Sequence, residues 1–469
     1  MKFTNLPEFI RYGNFSIDAK KGAHTLCTVR FTIAPEKAEA FLSAAEKRTS
    51  TEISSNSGNR VMNGIISAVT VNYSRTETTA DVTITSGSLL LQEKGDERIF
   101  QDPGKTYRDI LKEYPEVEIG ICDNLDHTVE EIIYQHNTDD FSFLLYLAER
   151  CGCGIWITDE GKLSFGGINS AKTMSEQETV YRKSVLGKKI TASKSGREIR
   201  LLTMEQMPNG SVLRLDRNGQ TEEYRICKVH IYEQYDEPFF EYTGSTEQAH
   251  GDAVVHIDNP VKPLFAVAKV TDNKDPNNLG RIQVNFTDFK DEAAQKDHKT
   301  WIPYLTGFVG KNNGGAVMIP DIDDEVVVCI SEAVAYALNS LRNEPLPENC
   351  RDVEKKYFAV KESLITVDGN TVTAAQGDKT VSRLTADHIA LEHDKSNFKI
   401  DADEIKAGKG NSELALSDKK LSAKNSSSKL NIEGNSAVLS GGGSAKLSLS
   451  GGDTKLSGNN IDLSTQGVV

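Results

Sequence analysis

No stretch of this chain approaches the run of about 18 apolar residues that a membrane-crossing helix needs, and no apolar core follows Lys2 near the N-terminus. Neither a spanning helix nor a secretory leader is expected, and synthesis and folding in the cytoplasm are. Positive charge is the minority: 54 Lys and Arg stand against 68 Asp and Glu, a net charge of -14. That balance disfavours a nucleic-acid backbone or an anionic membrane as the principal partner. Cysteine is scarce and odd in number, with seven residues at 27, 122, 151, 153, 227, 329 and 350. That scatter rules out a disulfide framework and reads as reduced thiols buried in apolar strands.

The signatures of catalysis are missing too. There is no nucleophile elbow, Walker loop, dinucleotide fingerprint or HExxH helix, and among 68 acidic residues nothing singles out a carboxylate pair. Cys151 and Cys153 sit in a Cys-Gly-Cys-Gly run, but no second Cys/His pair at ligand spacing accompanies them, so no metal and no cofactor are expected. His388 and His393 flank Ile389 and Leu391 and read as solvated side chains. Asp321, Asp323, Asp324 and Glu325 lack the central glycine and distal glutamate of a calcium loop and read as a turn. The expectation is a protein that is not an enzyme.

What the chain does have is a period. From about residue 364 Ser, Gly, Asn, Asp and Lys dominate, yet the blocks 397–412, 413–428 and 429–444 align at a 16-residue repeat. Phe398, Leu414 and Leu430 share one column; Ile400, Leu416 and Ile432 a second; Ile405, Leu421 and Ala437 a third; Ala407, Ala423 and Leu439 a fourth. The columns stand two, five and two residues apart, which predicts a short strand, a turn and a second short strand. The register slips by one after Ser444, where Leu447, Leu449 and Leu456 carry the pattern on, and Ile461 and Leu463 close it. A two-residue apolar face per strand cannot stabilise a lone chain. Three copies wound about one axis, each giving one face of a triangular prism, bury the columns inside a triple-stranded β-helix. A single-chain solenoid and a flexible tail are the alternatives.

Upstream, Val267–Phe286 reads as two alternating strands separated by Asn273, Asp275, Gly280 and other turn formers, with Asn and Asp closing local turns and Gly280 permitting positive φ. Further strands follow through residues 301–330, with Gly310, Gly314 and Gly315 in their connection. Five or so strands in under 80 residues suggest a closed OB-type barrel. Earlier, Phe141, Leu144, Leu145 and Ala148 fall at helical spacing behind Thr138 or Asp139 as cap, with Gly152 as stop. A hairpin over 154–165 follows, turning at Asp159–Gly161.

The runs VTDNKDPNNLGRIQV (270–284), WIP (301–303) and AVMIPDIDDEV (316–326) resemble the OB domain of the hub and spike proteins of contractile injection systems, the VgrG family of type VI secretion and its phage-tail counterparts. The run YQHNTDDFSFLLYLAER (134–150) resembles the family's hub helix, and LNSLRNEPLP (338–347) its exit from the barrel. The resemblance implies a mainly β chain: a hub over 1–250 with a helical insertion near 138–150, an OB barrel over 251–335, a linker over 336–363 and a trimeric needle over 364–469.

It also implies a structural, puncturing role. The partners it brings are two sister chains, inner-tube and baseplate proteins, a PAAR-type tip protein meeting Ile461, Leu463, Val468 and Val469, effector cargo, and a target membrane touched on firing. The particle would then be expelled from the cell. The trimer core would comprise Phe398, Ile400, Ile405, Leu414, Leu416, Leu421, Leu430, Ile432, Leu439, Leu447, Leu449 and Leu456. Asn273, Asp275, Gly280 and Arg281 would be structural residues of the barrel. A glycan-binding trimeric fibre is the rival reading, set back by the lack of a knob-like domain after Leu463. A lysozyme-like insertion has no room in the connection of about 30 residues after Ser331.

Overall fold

The structure is a computed structural model, and it describes residues 1–129, 132–175, 185–194, 196–217, 220–246, 263–291, 293, 299–309, 315–331, 334–341, 345–346, 348–352 and 354–461. Gly310, Gly314, Leu463, Val468 and Val469 lie outside the described residues. The chain forms two compact units, Met1–Arg342 and Asn343–Val469.

The first unit opens with strands that alternate one side in, one side out, and so build a sheet with one core face. Ten strands run in the order Lys2–Phe3, Ser50–Ser54, Arg60–Tyr73, Thr78–Ser86, Leu26–Ile33, Arg11–Lys20, Gln220–Gln234, Glu237–Ser245, Gly196–Thr203 and Val185–Ser193; Val212–Arg217 and Ala171–Ser175 branch from Gln220–Gln234 to make twelve. Phe31, Ile33, Ile66, Ile84, Ile199, Leu201, Tyr224 and Tyr242 fill its core, and Phe41 of the helix Ala38–Glu46 reaches into it.

A second core forms around the helix Asp140–Cys151. Asp139 caps it, its carboxylate accepting the Ser142 N–H at 2.8 Å, and Gly152 ends it at φ 70°. The helix buries Phe141, Phe143, Leu144, Leu147 and Ala148 against Ile110, Leu111, Tyr114, Leu125 and the hairpin Ile155–Ile157/Leu163–Phe165. The sequence places this helix and hairpin because the cap, apolar stripe and glycine stop agree with one another.

The barrel holds the third core. Its strands run Ile302–Pro303, Arg281–Phe286, Leu264–Asp272, Glu325–Ser331 and Val334–Leu341, and a bridge from Tyr304 to Ala337 brings the outer strands together. Val334–Leu341 pairs along Glu325–Ser331, so residues expected to be linker from 336 are the fifth barrel strand. Their alternation was legible; the proline-rich run behind them, Pro345 and Pro347, masked it as an exit.

The second unit is an antiparallel meander of thirteen strands in sequence order, from Lys356–Val360 to Asp453–Ser457. It starts eight residues before the expected 364, because Lys356–Val360 contributes Phe358 but none of the repeat's other marks. Pairing is through short turns, of two residues except for three at 377–379 and five at 441–445, and it folds the four sequence columns into two. Phe398, Ala407, Leu414, Ala423, Leu430, Leu439, Leu447 and Leu456 are consecutive partners in one; Ile400, Ile405, Leu416, Leu421, Ile432, Ala437 and Leu449 in the other. Both lie on one face of the sheet.

The turns on one edge are stitched to each other. The N–H groups of Gly377, Asp394, Gly410 and Ser426 donate to the carbonyls of Glu362, Lys379, Lys395 and Asn411 at 3.0, 2.9, 3.0 and 3.1 Å. Each donor has positive φ, between 49° and 56°, which glycine and aspartate accept at little cost. On the opposite edge Thr385 and Asp401, 16 positions apart, accept the N–H groups of the residues two and three further on. The ladder stops where the loop Gly441–Ala445 widens, and this loop is the cause of the one-residue slip after Ser444.

Candidate functional site: joint, apolar face and thiol cluster

Between hub and barrel the cores are not separate. Ile99, Ile132 and Tyr134 belong to the hub segment by sequence, yet they pack with Leu264, Val270, Val284, Phe286 and Val328 in the barrel core. Arg98–Phe100 pairs with Ile133–Gln135 on one side and with Lys290–Asp291 on the other, forming one small sheet across the joint. Buried Gln101 fastens it: its side-chain amide nitrogen donates to the Val284 carbonyl at 3.0 Å and to the Asp291 carboxylate at 2.5 Å, and its backbone carbonyl accepts the Thr300 N–H at 3.1 Å. Burial pushes the Asp291 carboxyl above its ordinary range. Nothing in the sequence marks this joint, since its apolar residues look like any strand interior.

The four barrel residues singled out from the sequence come together. Asp275 is 7% exposed and its carboxylate accepts the N–H groups of Asn277 and Leu279, each at 2.9 Å. Arg281 grips the same carboxylate with Nε at 3.0 Å and Nη2 at 2.7 Å. Gly280 turns at φ 71°, and Asn273 donates to the Pro320 carbonyl at 2.9 Å, tying the loop to the segment before Asp321. The Arg281 guanidinium, first, and the backbone N–H groups after it hold the Asp275 carboxyl well below the usual carboxylate range.

A group with a depressed native pKa contributes stability above its unfolded pKa, about 4, and loses it as pH falls through the lower native value. Asp275→Asn is therefore expected to lower the thermal midpoint at pH 7 by several degrees. The gap from the parent should shrink below the ordinary carboxylate range, as the parent carboxyl itself protonates. Scanning calorimetry at pH 7 and at acid pH checks this. An unchanged gap would show that the carboxylate's charge is not what holds the loop. The acidic run that follows is a turn: Asp321 N–H donates to the Asp324 carboxylate at 2.9 Å, and Asp323 stands at φ 74°.

In the second unit the two apolar columns lie open. Leu414, Leu416, Ile432, Leu439, Leu449 and Leu456 are 43–51% exposed, and Ala390 is the one buried residue among those described. A half-buried leucine recovers roughly 1 kcal/mol, whereas ordering each backbone residue costs about 1–2 kcal/mol. The ladder is formed within the chain, strand to following strand, so along the meander a partner meets the apolar face or the turn edges, and among the described strands only Lys356–Val360 and Asp453–Ser457 keep an unpaired side. His388 and His393 bond to Thr385 and Thr380 at 3.1 and 2.7 Å.

All seven cysteines are unpaired, and Cys27 and Cys151 are the fully buried ones. Cys151 and Cys153 do have a third companion: Cys122, 29 positions upstream, lies with its sulfur 3.5 Å from that of Cys151, and all three sulfurs fall within 4.8 Å of one another. The fold brings it there through the backbone bridge between Ile121 and Gly167, and no signal in the sequence joins it to the Cys-Gly-Cys run. Hydrogen bonds from the Cys151 and Cys153 thiols, together with backbone N–H groups at Asn124 and Leu125, push the Cys122 thiol down to about 3.

A sheet hub with a helix-centred insertion, joined through a shared core to a small barrel and followed by a meander without a core, is the build of a baseplate hub and spike component. Residues 24–205 match the phage tail baseplate hub (GPD) family, and residues 266–335 match the type VI secretion system/phage-baseplate injector OB domain. The chain belongs to this hub and spike family, shared by phage tails and type VI secretion systems.

Solved structures that it resembles include the E. coli c3393 protein, a type VI secretion component with structural similarity to the T4 tail proteins gp27 and gp5 (16% identity, 73% of this chain and 99% of that chain, TM-score 0.46). The lidded Francisella PdpA-VgrG complex aligns at 9% identity over 84% of this chain and 75% of that chain (TM-score 0.49). The tail protein of Neisseria meningitidis MC58 aligns at 13% identity over 51% of this chain and 93% of that chain (TM-score 0.37). No curated protein matches. Among the described residues no helix is long and apolar enough to cross a membrane.

Proposed function

We propose that this chain is one third of a homotrimeric spike, in which three meanders close their apolar columns against each other into a needle beneath a hub that seats on the inner tube. The observation that carries it is the open face of the second unit: a regular thirteen-strand sheet whose leucines and isoleucines stay about half exposed has no stability of its own. Two further copies supply what is missing with the same residues on every chain, as a rotationally symmetric assembly requires. Phe398, Ile400, Ile405, Leu414, Leu416, Leu421, Leu430, Ile432, Leu439, Leu447, Leu449 and Leu456 then form the trimer core.

The needle serves penetration of a target envelope when the sheath contracts. Ile461, 52% exposed at the end of the described chain, begins the surface for a PAAR-type tip protein, and effectors travel with the spike. Force from the hub passes to the barrel through the shared core at Ile99, Ile132 and Tyr134.

Light scattering behind size exclusion on the full chain is expected to give about three times 51.5 kDa, and a chain ending at Glu362 should run at its single-chain mass. A folded, stable monomer at full length would overturn the trimer.

A further inference from the structure

We propose that Cys122, Cys151 and Cys153 form a metal site in the hub that takes a thiophilic ion, Zn²⁺, with three protein sulfurs and one position open to a cavity. The geometry carries this. A sulfur–sulfur distance of 3.5 Å is far beyond the bonded length of about 2.05 Å. It lies close to the edge of a tetrahedral zinc thiolate, about 3.8 Å for zinc–sulfur bonds of about 2.3 Å. Three sulfurs within 4.8 Å of one another leave room for one ion among them.

The sulfurs are held by backbone that cannot easily move. Cys151 is the last residue of the helix Asp140–Cys151. Cys153 follows the left-handed Gly152, its N–H bonded back to the Ala148 carbonyl at 2.9 Å, so the helix cap fixes the Cys-Gly-Cys spacing. Cys122 is anchored next to Ile121, whose N–H and carbonyl both bond to Gly167, at 2.7 and 2.9 Å. Asn124 closes the gap between the two segments by donating its side-chain amide to the Cys151 carbonyl at 2.9 Å. A site of this kind is organised before its ion arrives.

Cys122 and Cys153 line a cavity of about 1020 Å³ together with Lys21, Asp123, Glu149 and Arg225. The fourth zinc position faces that space and is completed by water. Zinc binding forms three Zn–S bonds and releases to solvent the protons that the cysteines still carry, with no change of oxidation state. Three thiolates and one Zn²⁺ carry a net charge of −1, and the cavity wall sets Lys21, Arg197 and Arg225 beside the carboxylates Asp123, Glu149, Glu222 and Glu223. The ion would clamp the Cys122 segment to the end of the hub helix, far in sequence from the barrel motif and the needle repeat.

Full-length protein purified under reducing conditions without chelator is expected to contain about one zinc per chain by mass spectrometry of the elements. Metal-free protein titrated with Co²⁺ should develop the thiolate charge-transfer and visible bands of a tetrahedral sulfur site. Cys122→Ser and Cys153→Ser should each weaken zinc binding by roughly 100-fold or more, since even outer partners of a metal ligand are worth 10–100-fold, whereas Cys329→Ser should leave it unchanged.

Circular dichroism establishes that each variant is folded. The parent's competition with a chromophoric zinc chelator needs no variant at all. The site is overturned if the parent shows no saturable zinc binding in that competition, if Cys122→Ser and Cys329→Ser bind alike, or if a Cys122–Cys151 disulfide is found in protein kept under reducing conditions.

Discussion

Leu416→Asp should take the proposed full-length trimer apart. Leu416 stands in mid-meander, paired with Ile405 on one side and Leu421 on the other, in a column that the proposed trimer would bury between three chains. A buried carboxylate without a partner costs about 3–5 kcal/mol, and symmetry places three of them in one layer, so the penalty is roughly 10 kcal/mol per particle before mutual repulsion is added. That is comparable to the whole stability of an ordinary domain. Ser422→Asp sets the comparison, because Ser422 lies one residue from Leu421 and so on the opposite face of the same sheet. Light scattering at micromolar concentration should give monomer for the first variant and trimer for the second. Dissociation of both would mean that charge alone, irrespective of face, breaks the assembly. Survival of both would mean that this face is not the contact.

Ile99→Ala, at the joint, is expected to cost about 2–5 kcal/mol, the range for emptying a fully buried isoleucine site. Ile99 is 0% exposed and is held by backbone pairing on both sides of its strand, so the neighbours cannot collapse into the gap. The loss should fall on the barrel more than on the large hub sheet, because Ile99 packs with barrel side chains. Hydrogen exchange separates the two: protection should drop along Leu264–Asp272 and Arg281–Phe286 and persist along Leu26–Ile33. Gln101→Ala should weaken the same strands by about 1–3 kcal/mol, through the polar groups it leaves without partners. If protection falls equally in both domains, hub and barrel unfold as one body and the joint is no boundary.

Legibility in the sequence followed the range of the interaction. The helix Asp140–Cys151, its aspartate cap and glycine stop, and the hairpin behind it rest on contacts a few residues apart, so pattern alone finds them. The Asp275–Arg281 loop likewise spans six positions and shows itself as a cluster of turn formers. The meander was readable for another reason, since a repeat states the same local rule many times over.

What escaped depends on chain segments far apart. Cys122 reaches Cys151 only through a strand bridge, and the barrel core borrows Ile99 and Tyr134 from 165 and 130 positions upstream of Leu264, separations no periodicity records. The merging of four columns into two also had to wait for the pairing register. Spacings of two, five and two are compatible with either a coil or a meander until the turns are seen.

That register has a consequence for length. Over residues 398–439 the apolar residues follow one another at separations of two, five, two and seven, and their sum, 16, returns both the inward face and the same turn edge. Excising residues 404–419 joins Asp403 to Lys420 and puts Leu421 opposite Ile400 and Ala423 opposite Phe398, apolar on apolar, with the shaft shorter by two strands or about 10 Å. Removing eight residues instead, 404–411, turns Leu414 and Leu416 outward and sets Glu413 in the column. Insertions or deletions that keep both the apolar face and the turn edge therefore come in steps of two strands, so the length of the meander is quantised.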